Sequence, residues 1–97
     1  MRIISKRTLR LFWLHHPQAE EPLKAWYRVA EKAKWETPSK VKEQFGNASI
    51  VGNNRVVFNV HGNSYRLVVK VEYQLGIVFV RFVGTHAEYD TIDAETV

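Results

Sequence analysis

Cationic and hydrogen-bonding side chains recur at alternate positions in the stretch from Arg55 to Asp90. Alternate residues of an extended chain point to the same face of a sheet, so this pattern predicts a strand surface rich in positive charge. Directly opposed like charges on neighbouring strands are destabilising, and a folded chain tolerates them most easily when an anion shares the site. The residues predicted to share this surface are Arg55, Asn59, His61, Arg66, Lys70 and Arg81.

Two side chains in this stretch are capable of more than electrostatic attraction. The guanidinium fork of Arg66 can hold two phosphate oxygens at once, a geometry that lysine lacks. The imidazole of His86 changes its protonation state nearest to neutral pH and can therefore act as a base or as an acid. Each residue also has an ordinary interpretation, as an arginine on the solvated side of a strand and as a histidine with a structural role.

Three consecutive antiparallel strands are predicted to position these residues. Turn signals at Gly62-Asn63 and Leu75-Gly76 separate the strands. If both are two-residue loops, the opposed pairs are His61 with Ser64, Arg55 with Lys70, Lys70 with Arg81, and Arg66 with Thr85. The second face of these strands is apolar throughout and consists of Val56, Phe58, Val60, Tyr65, Leu67, Val69, Val71, Tyr73, Val78, Val80 and Phe82.

Two helices are predicted upstream of the strands. Ser5 is a suitable N-cap for a helix that runs to about His16. A second helix, from about Gln18 to Lys34, has apolar residues at helical spacing, and Pro22 is acceptable because it falls in the first turn. We therefore expect an α+β fold, with two N-terminal helices packed on one face of a small antiparallel β-sheet.

Shorter elements complete the prediction. Residues 1–4 form a candidate edge strand, residues 50–51 a small extra strand, and Ser39 a candidate cap for a short helical turn that ends at Phe45. Trp13 and Trp26 are expected to fill the core between the helices and the sheet. Trp35 belongs either to that core or to a surface exposed to a partner.

Length and composition predict one globular domain, residues 1–97, with 45% hydrophobic residues and no cysteine. The lack of cysteine fits a reducing cytoplasm, and no apolar run suggests a signal peptide or a membrane span. Fourteen Lys and Arg against six acidic residues give residues 1–83 a net charge of +8, whereas the last residues are acidic. Such a basic body favours polyanionic partners, although an unrelated domain with a solvated basic surface is an alternative.

Two segments resemble HigB-type toxins of the RelE superfamily. They are FNVHGNSYRLVVKV (58–71) and VRFVGTHAEYDTID (80–93). The predicted order of one strand, two helices and three antiparallel strands is also the order of that superfamily, so the resemblance covers essentially the whole chain. It implies a RelE-like fold.

The resemblance implies an endoribonuclease that cleaves mRNA in the decoding site of the ribosome. The ribose 2′-hydroxyl would attack the neighbouring phosphate, which requires a base, a cation for the phosphorane and an acid for the 5′-oxygen, but no metal and no other cofactor. The implied partners are mRNA, the ribosome and a HigA-like helix-turn-helix antitoxin. DNA would be contacted only indirectly, through that antitoxin.

The resemblance also implies roles for individual residues. Arg66 matches a phosphate-stabilising arginine, and His86 matches the HigB-like variant of a position at which many relatives have arginine. Tyr89 matches an aromatic residue that contacts the cleaved nucleotide, where stacking is worth about 1–3 kcal/mol per base. Alternatively, Tyr89 covers the end of the core. Asp90 is interpreted as the start of the acidic tail rather than as a residue that orients His86.

The sequence departs from the superfamily at two positions. Val57 and Asn59 occupy places where RelE has lysines, and neither residue can act as a general base. The candidates for proton transfer are therefore His61, Lys70 and His86. Asn59 can still hydrogen-bond a phosphate or a base edge, although it and Asn63 have the alternative role of shaping the hairpin. Arg55, Lys70 and Arg81 are interpreted as electrostatic groups that attract RNA, and no residue spacing predicts a metal site.

Two other functional classes compete with the endonuclease. One is a non-catalytic module that binds RNA or the ribosome through the same basic face, and the other is an interaction domain for an acidic protein. An endonuclease generates new 5′ ends in the message, a binding module leaves stalled but intact mRNA, and an interaction domain causes no growth arrest.

Overall fold

Residues 55–85, predicted as three consecutive strands, form the centre of a mixed five-stranded sheet. The computed structural model describes residues 1–97. In chain order its elements are β1 (Arg2–Ile4), α1 (Lys6–His15), a 3-10 turn (Pro17–Ala19), α2 (Glu20–Lys32), α3 (Pro38–Gln44), β2 (Ser49–Val51), β3 (Arg55–Val60), β4 (Tyr65–Glu72), β5 (Ile77–Thr85) and α4 (His86–Tyr89). The strand order is β1-β5-β4-β3-β2. The predicted α+β class is confirmed.

The sequence predicts a purely antiparallel sheet, but the observed sheet is mixed. β1 pairs in parallel with β5, with Ile3 opposite Val78, while the other three pairings are antiparallel. Parallel neighbours need a long connection between them, and here the helices and the β2–β4 meander supply it. The predicted edge strand at the amino terminus and the extra strand at residues 50–51 are both present.

The helices begin where local chemistry favours them. α1 follows Ser5, which takes the predicted N-cap position with an extended backbone but makes no side-chain cap hydrogen bond, and α1 ends one residue before His16. α2 follows the 3-10 turn and has Pro22 in its first turn. The predicted cap of the third helix is wrong: Thr37 is the cap, because its hydroxyl accepts a hydrogen bond from the Lys40 N–H at 3.4 Å. Pro38 then takes the first helical position, which suits its fixed φ.

One hydrophobic core joins the helices to one face of the sheet. It contains the buried residues Leu9, Trp13, Ala19, Leu23, Trp26, Ala30, Ala33, Trp35, Val41, Ala48, Val56, Phe58, Val60, Tyr65, Leu67, Val69, Val71 and Val78. Trp13 and Trp26 lie in the core as predicted. Trp35 is 2% exposed, and its indole N–H donates to Gln44 Oε1 at 2.7 Å, so exposure of Trp35 to a partner is wrong.

The β3–β4 register agrees with the sequence prediction. Arg55 lies opposite Lys70, and Asn59 lies opposite Arg66. The turn is consistent with His61 opposite Ser64, because the Ser64 N–H donates to the His61 carbonyl at 3.2 Å.

The β4–β5 register differs from the prediction in two ways. The connecting turn has four residues, 73–76, and Gly76 adopts a φ of +69° that suits glycine. Lys70 therefore lies opposite Phe79 rather than Arg81. A β-bulge then occurs, so that Val69 faces Val80, Val68 faces Phe82, and Arg81 has no partner across the ladder.

The bulge reverses the faces of the residues that follow it. Phe82 pairs with Val68 and therefore lies on the face opposite the helices, whereas Val83 pairs with Leu67 and packs against the core. The predicted position of Phe82, on the apolar face of the sheet, is therefore wrong. Arg66 consequently faces Gly84 rather than Thr85. We call the sheet face that carries Val57, Asn59, Arg66, Val68 and Lys70 the outer face.

No helix of this chain combines the length and the apolar character needed to cross a membrane.

Candidate active site

A one-turn helix, α4, brings two predicted site residues back to the sheet. The Thr85 hydroxyl accepts a hydrogen bond from the Glu88 N–H at 3.2 Å, and Glu88 Oε1 accepts one from the Thr85 N–H at 2.8 Å. This reciprocal capping box satisfies two donors that a helix start leaves free. The His86 N–H also donates to the Ser64 carbonyl at 3.1 Å. α4 is thereby attached to the β3–β4 turn.

We expect Thr85→Ala to reduce stability by about 1 kcal/mol, the usual effect of losing a helix cap. We also expect it to reduce the RNA cleavage that the resemblance implies, because His86 and Tyr89 lose their fixed position. Thr37→Ala is a matched control, since Thr37 caps α3 in the same way. Urea denaturation should show similar losses of stability, and cleavage should decrease only in Thr85→Ala. Equal cleavage by the two variants would show that the cap does not position the site.

The capping box also makes α4 sensitive to acid. The Thr85 N–H and then the Thr85 hydroxyl hold the pKa of Glu88 below its ordinary value of 4.5. A carboxyl whose pKa is lowered by folding stabilises the fold above its unfolded pKa, and this contribution is lost as the pH falls through the folded pKa. Wild type should therefore be more stable than Glu88→Gln at neutral pH. Denaturation at a series of pH values should show this difference shrink below about pH 4.5, and a difference that persists in acid would contradict the assignment.

Arg66 is held rigidly on the outer face next to α4. Arg66 is 8% exposed. Nη2 donates to Asn63 Oδ1 at 2.7 Å, and Nη1 donates to the carbonyls of Asn63 and Tyr65, both at 3.2 Å. These bonds use three of the five guanidinium N–H groups, which leaves Nε–H and one Nη2–H for a ligand.

One of the two free donors of Arg66, the Nε–H, is accessible to solvent. The only buried side-chain nitrogen or oxygen atom without a hydrogen-bond partner is Trp26 Nε1. Arg66 Nε also has no partner, so it must be reachable by solvent. A guanidinium that is fixed by the protein on one edge and open on another is suited to bind an anion.

His86 and Tyr89 lie on α4 with defined neighbours. Asp90 Oδ2 is 3.4 Å from His86 Nδ1. This pairing leaves Nε2 of the imidazole to exchange a proton with a ligand. The Arg66 guanidinium lies over the Tyr89 ring, with 5.9 Å between Cζ and the ring centroid. Phe82, brought to the outer face by the bulge, has its ring 6.5 Å from that of Tyr89.

The other predicted ligand-binding residues lie at different places. Asn59 is exposed and lies next to Arg66 across the β3–β4 pair. The His61 ring stacks on Tyr65, with 6.1 Å between centroids. Tyr65 is a core residue on the helix side of the sheet, so the structure places His61 on that side rather than beside Arg66.

The three cations predicted to attract RNA have partners within the chain. Arg55 is 7% exposed and donates to the carbonyls of Asn53 at 2.9 Å and Val97 at 2.8 Å. Arg81 Nε donates to the same Val97 carbonyl at 3.4 Å. Lys70 pairs with Glu72 at 3.0 Å. The C-terminal segment thus occupies the end of the outer face remote from Arg66.

Sequence reasoning missed several residues that shape this site. The sequence indicates only a turn role for Asn63, but in the structure Asn63 orients Arg66. The sequence indicates the start of the acidic tail at Asp90, yet Asp90 also faces His86. The Thr-x-x-Glu pattern of residues 85–88 was a readable signal for the cap, whereas nothing in the sequence marked the bulge that moves Phe82.

The assembled site can bind and polarise a phosphodiester. Arg66 offers fixed charge and free donors, His86 offers a titratable nitrogen, and Tyr89 offers a ring for stacking. In addition, the structure has no group of three or more His, Asp or Glu side chains arranged to hold a metal ion.

Comparison with known proteins agrees with this chemistry. Residues 19–92 match the family model HigB_toxin, described as the RelE-like toxic component of a toxin–antitoxin system. The chain is 29% identical to the mRNA interferase HigB of Escherichia coli O6:H1 (strain CFT073) over 94 residues, which cover 95% of this chain and 91% of the relative. It is also 29% identical to the mRNA interferase toxin HigB of Escherichia coli K12 over 96 residues, with 97% and 92% covered. Because the family model spans most of the sequence, the chain belongs to the HigB toxin family of the RelE superfamily.

Proposed function

We propose that this chain is a ribosome-dependent endoribonuclease that cleaves translated mRNA and thereby blocks translation. The observation that carries the proposal is the arrangement of Arg66, His86 and Tyr89 at one end of the outer face. The names of the relatives, mRNA interferases, support the same activity. As a toxin of a type II toxin–antitoxin system, the protein would act in the cytoplasm and be neutralised by a HigA-like antitoxin.

The proposed reaction is attack by the ribose 2′-hydroxyl on its own 3′-phosphate. The 2′-oxygen forms a bond to phosphorus, and the bond to the 5′-oxygen of the next nucleotide breaks. The products are a 2′,3′-cyclic phosphate and a free 5′-hydroxyl. Arg66 would neutralise the charge that builds up on the phosphorane, through the Nε–H and Nη2–H donors that the protein leaves free.

His86 is the proton-transfer group that the structure favours. Of the three candidates, His61 lies against Tyr65 on the helix side and Lys70 is paired with Glu72. His86 alone lies on the helix that also brings Tyr89 to Arg66. Its Nε2 would take the proton of the 2′-hydroxyl, and the imidazolium or a water molecule would return a proton to the departing 5′-oxygen.

Binding of the message would use the side chains around Arg66. Tyr89 would stack on a base next to the cleaved bond, supported by Phe82. Asn59 would hydrogen-bond a phosphate or a base edge. No step of this reaction requires a metal ion, because the cation, the proton acceptor and the stacking group are all side chains.

The test uses purified protein and a short mRNA, either free or bound to programmed ribosomes. We expect cleavage only on the ribosome, with a 2′,3′-cyclic phosphate on the upstream fragment. A 2′-O-methyl group on the nucleotide before the cut should abolish the reaction. Equal cleavage of free RNA would contradict ribosome dependence, and cleavage of the methylated message would contradict attack by the 2′-hydroxyl.

A further inference from the structure

The outward side of α1 carries an uncovered stripe of leucines and arginines. Leu9 and Trp13 anchor the helix in the core, and the residues on the opposite side of the helix point to solvent. Leu11 is 49% exposed and Leu14 is 66% exposed. Together with two exposed arginines they follow the i, i+3, i+4, i+7 spacing of a single helix face. We call this surface the α1 stripe, and its residues are Arg7, Arg10, Leu11 and Leu14.

The charge of the α1 stripe is not balanced within the chain. α1 contains no acidic residue. The four ion pairs of the structure involve Lys24, Lys40, Lys70 and His86. Arg7 and Arg10 therefore have no carboxylate partner. An exposed apolar strip bordered by unpaired cations is the complement of an acidic amphipathic helix.

We propose that the α1 stripe is a docking surface for an acidic amphipathic helix of the antitoxin. This inference rests on the proposed function for the existence of the antitoxin, but the chemistry of the contact comes from the stripe itself. The leucines would pack against the apolar face of the partner helix, and the arginines would form ion pairs with its Asp and Glu residues. RNA is the less suitable occupant, because two leucines offer nothing to a phosphate backbone.

The position of the stripe separates antitoxin binding from catalysis. α1 packs through Leu9 and Trp13 into the core on the helix side of the sheet. Arg66 lies on the outer face. A change in the α1 stripe should therefore weaken antitoxin binding while leaving the site that cleaves RNA intact. Such a variant would remain toxic in cells that also produce the antitoxin.

Two double variants test the proposal. Leu11→Ser/Leu14→Ser removes the apolar contact, and Arg7→Glu/Arg10→Glu reverses the charge. The matched controls are Leu75→Ser, at a turn leucine that is 71% exposed, and Arg28→Glu/Lys32→Glu, a pair exposed on α2. The probe is the purified helix-turn-helix protein encoded beside this chain's gene, and circular dichroism establishes that each variant is folded.

We expect both α1 variants to lose at least about 30-fold in affinity, the scale of a binding hot spot, and both controls to change by less than about 3-fold. Binding by wild type should also weaken as salt is raised. Changes below 3-fold in both α1 variants, or no binding by wild type, would overturn the proposal. Loss of ribosome binding by the charge-reversed variant, with antitoxin affinity retained, would overturn it in favour of an RNA contact. Cleavage is measured separately in the same preparations, so a failure of the proposed activity is distinguishable from a failure of the docking surface.

Discussion

Arg66→Ala is expected to reduce mRNA cleavage on the ribosome by about 10²–10³-fold, the usual effect of removing one preorganised charge-stabilising donor. Three hydrogen bonds to Asn63 and Tyr65 fix the guanidinium before RNA arrives. In the proposed mechanism, the charge is therefore in place when the phosphorane forms, without any reorganisation of the side chain. Single-turnover cleavage of a message on programmed ribosomes would measure the loss.

Arg66→Lys tests whether geometry or charge is responsible. Lysine keeps the positive charge but has no planar fork, so it cannot bond to Asn63 and to a phosphate in the same way. We expect Arg66→Lys to recover only a small part of the activity. Arg81→Ala is the matched control, because Arg81 lies unpaired at the bulge and bonds only the Val97 carbonyl. Full activity in Arg66→Ala, or an equal loss in Arg81→Ala, would contradict the assigned role.

His86→Gln is expected to reduce cleavage by about 10²–10⁴-fold, the range attributed to a positioned acid or base. Glutamine is similar in size and can form hydrogen bonds, but it cannot exchange a proton near neutral pH. Rates of single-turnover cleavage on programmed ribosomes would measure the loss.

Asp90→Asn separates orientation of His86 from proton transfer by His86. The carboxylate lies 3.4 Å from His86 Nδ1, and its loss should reduce the rate, by less than His86→Gln does, because a carboxylate at Nδ1 holds an imidazole in one orientation and tautomer. Asp93→Asn is the control in the same acidic segment. Unchanged cleavage in His86→Gln would show that His86 does not transfer a proton. Unchanged cleavage in Asp90→Asn would show that Asp90 does not orient His86 and is only part of the acidic tail.

Much of the fold could be predicted because its signals are local. The capping position of Ser5, the break at Pro17 and the turn at Gly62 define α1 and the β3–β4 hairpin without reference to the rest of the chain. The α+β class follows from the alternation of residues in β3 and β4, which separates an apolar from a polar face. The elements that these signals predict are present in the structure, with small differences at their ends.

The register of β5 could not be predicted because two unmarked features set it. The turn has four residues instead of two, and the bulge adds Arg81 to one strand. The longer turn moves the β4–β5 pairing by two residues, which leaves each side chain on its face, whereas the bulge moves it by one residue and exchanges the faces. Phe82 therefore reaches Tyr89, and Arg81 does not reach Lys70.

The sequence predicts the main residues of the candidate site but not the neighbouring residues that orient them. Arg66, His86 and Tyr89 follow from residue chemistry and from the resemblance to HigB-type toxins. The roles of Asn63 and Asp90 depend on how a loop and a one-turn helix place single oxygen atoms near Arg66 and His86, and spacing along the sequence does not contain that information. The C-terminal segment is a similar case, because its acidity gave no indication that main-chain carbonyls would hold Arg55 and Arg81.

In the proposed function this protein cuts messages and does not merely bind them. Mapping of RNA 5′ ends after brief induction of wild type or Arg66→Ala in growing cells distinguishes cutting from binding. We predict new 5′ ends within translated reading frames in cells that produce wild type, and none in cells that produce Arg66→Ala at the same level. Stalled but intact messages in cells that produce wild type would contradict the claim and would favour a non-catalytic ribosome-binding module.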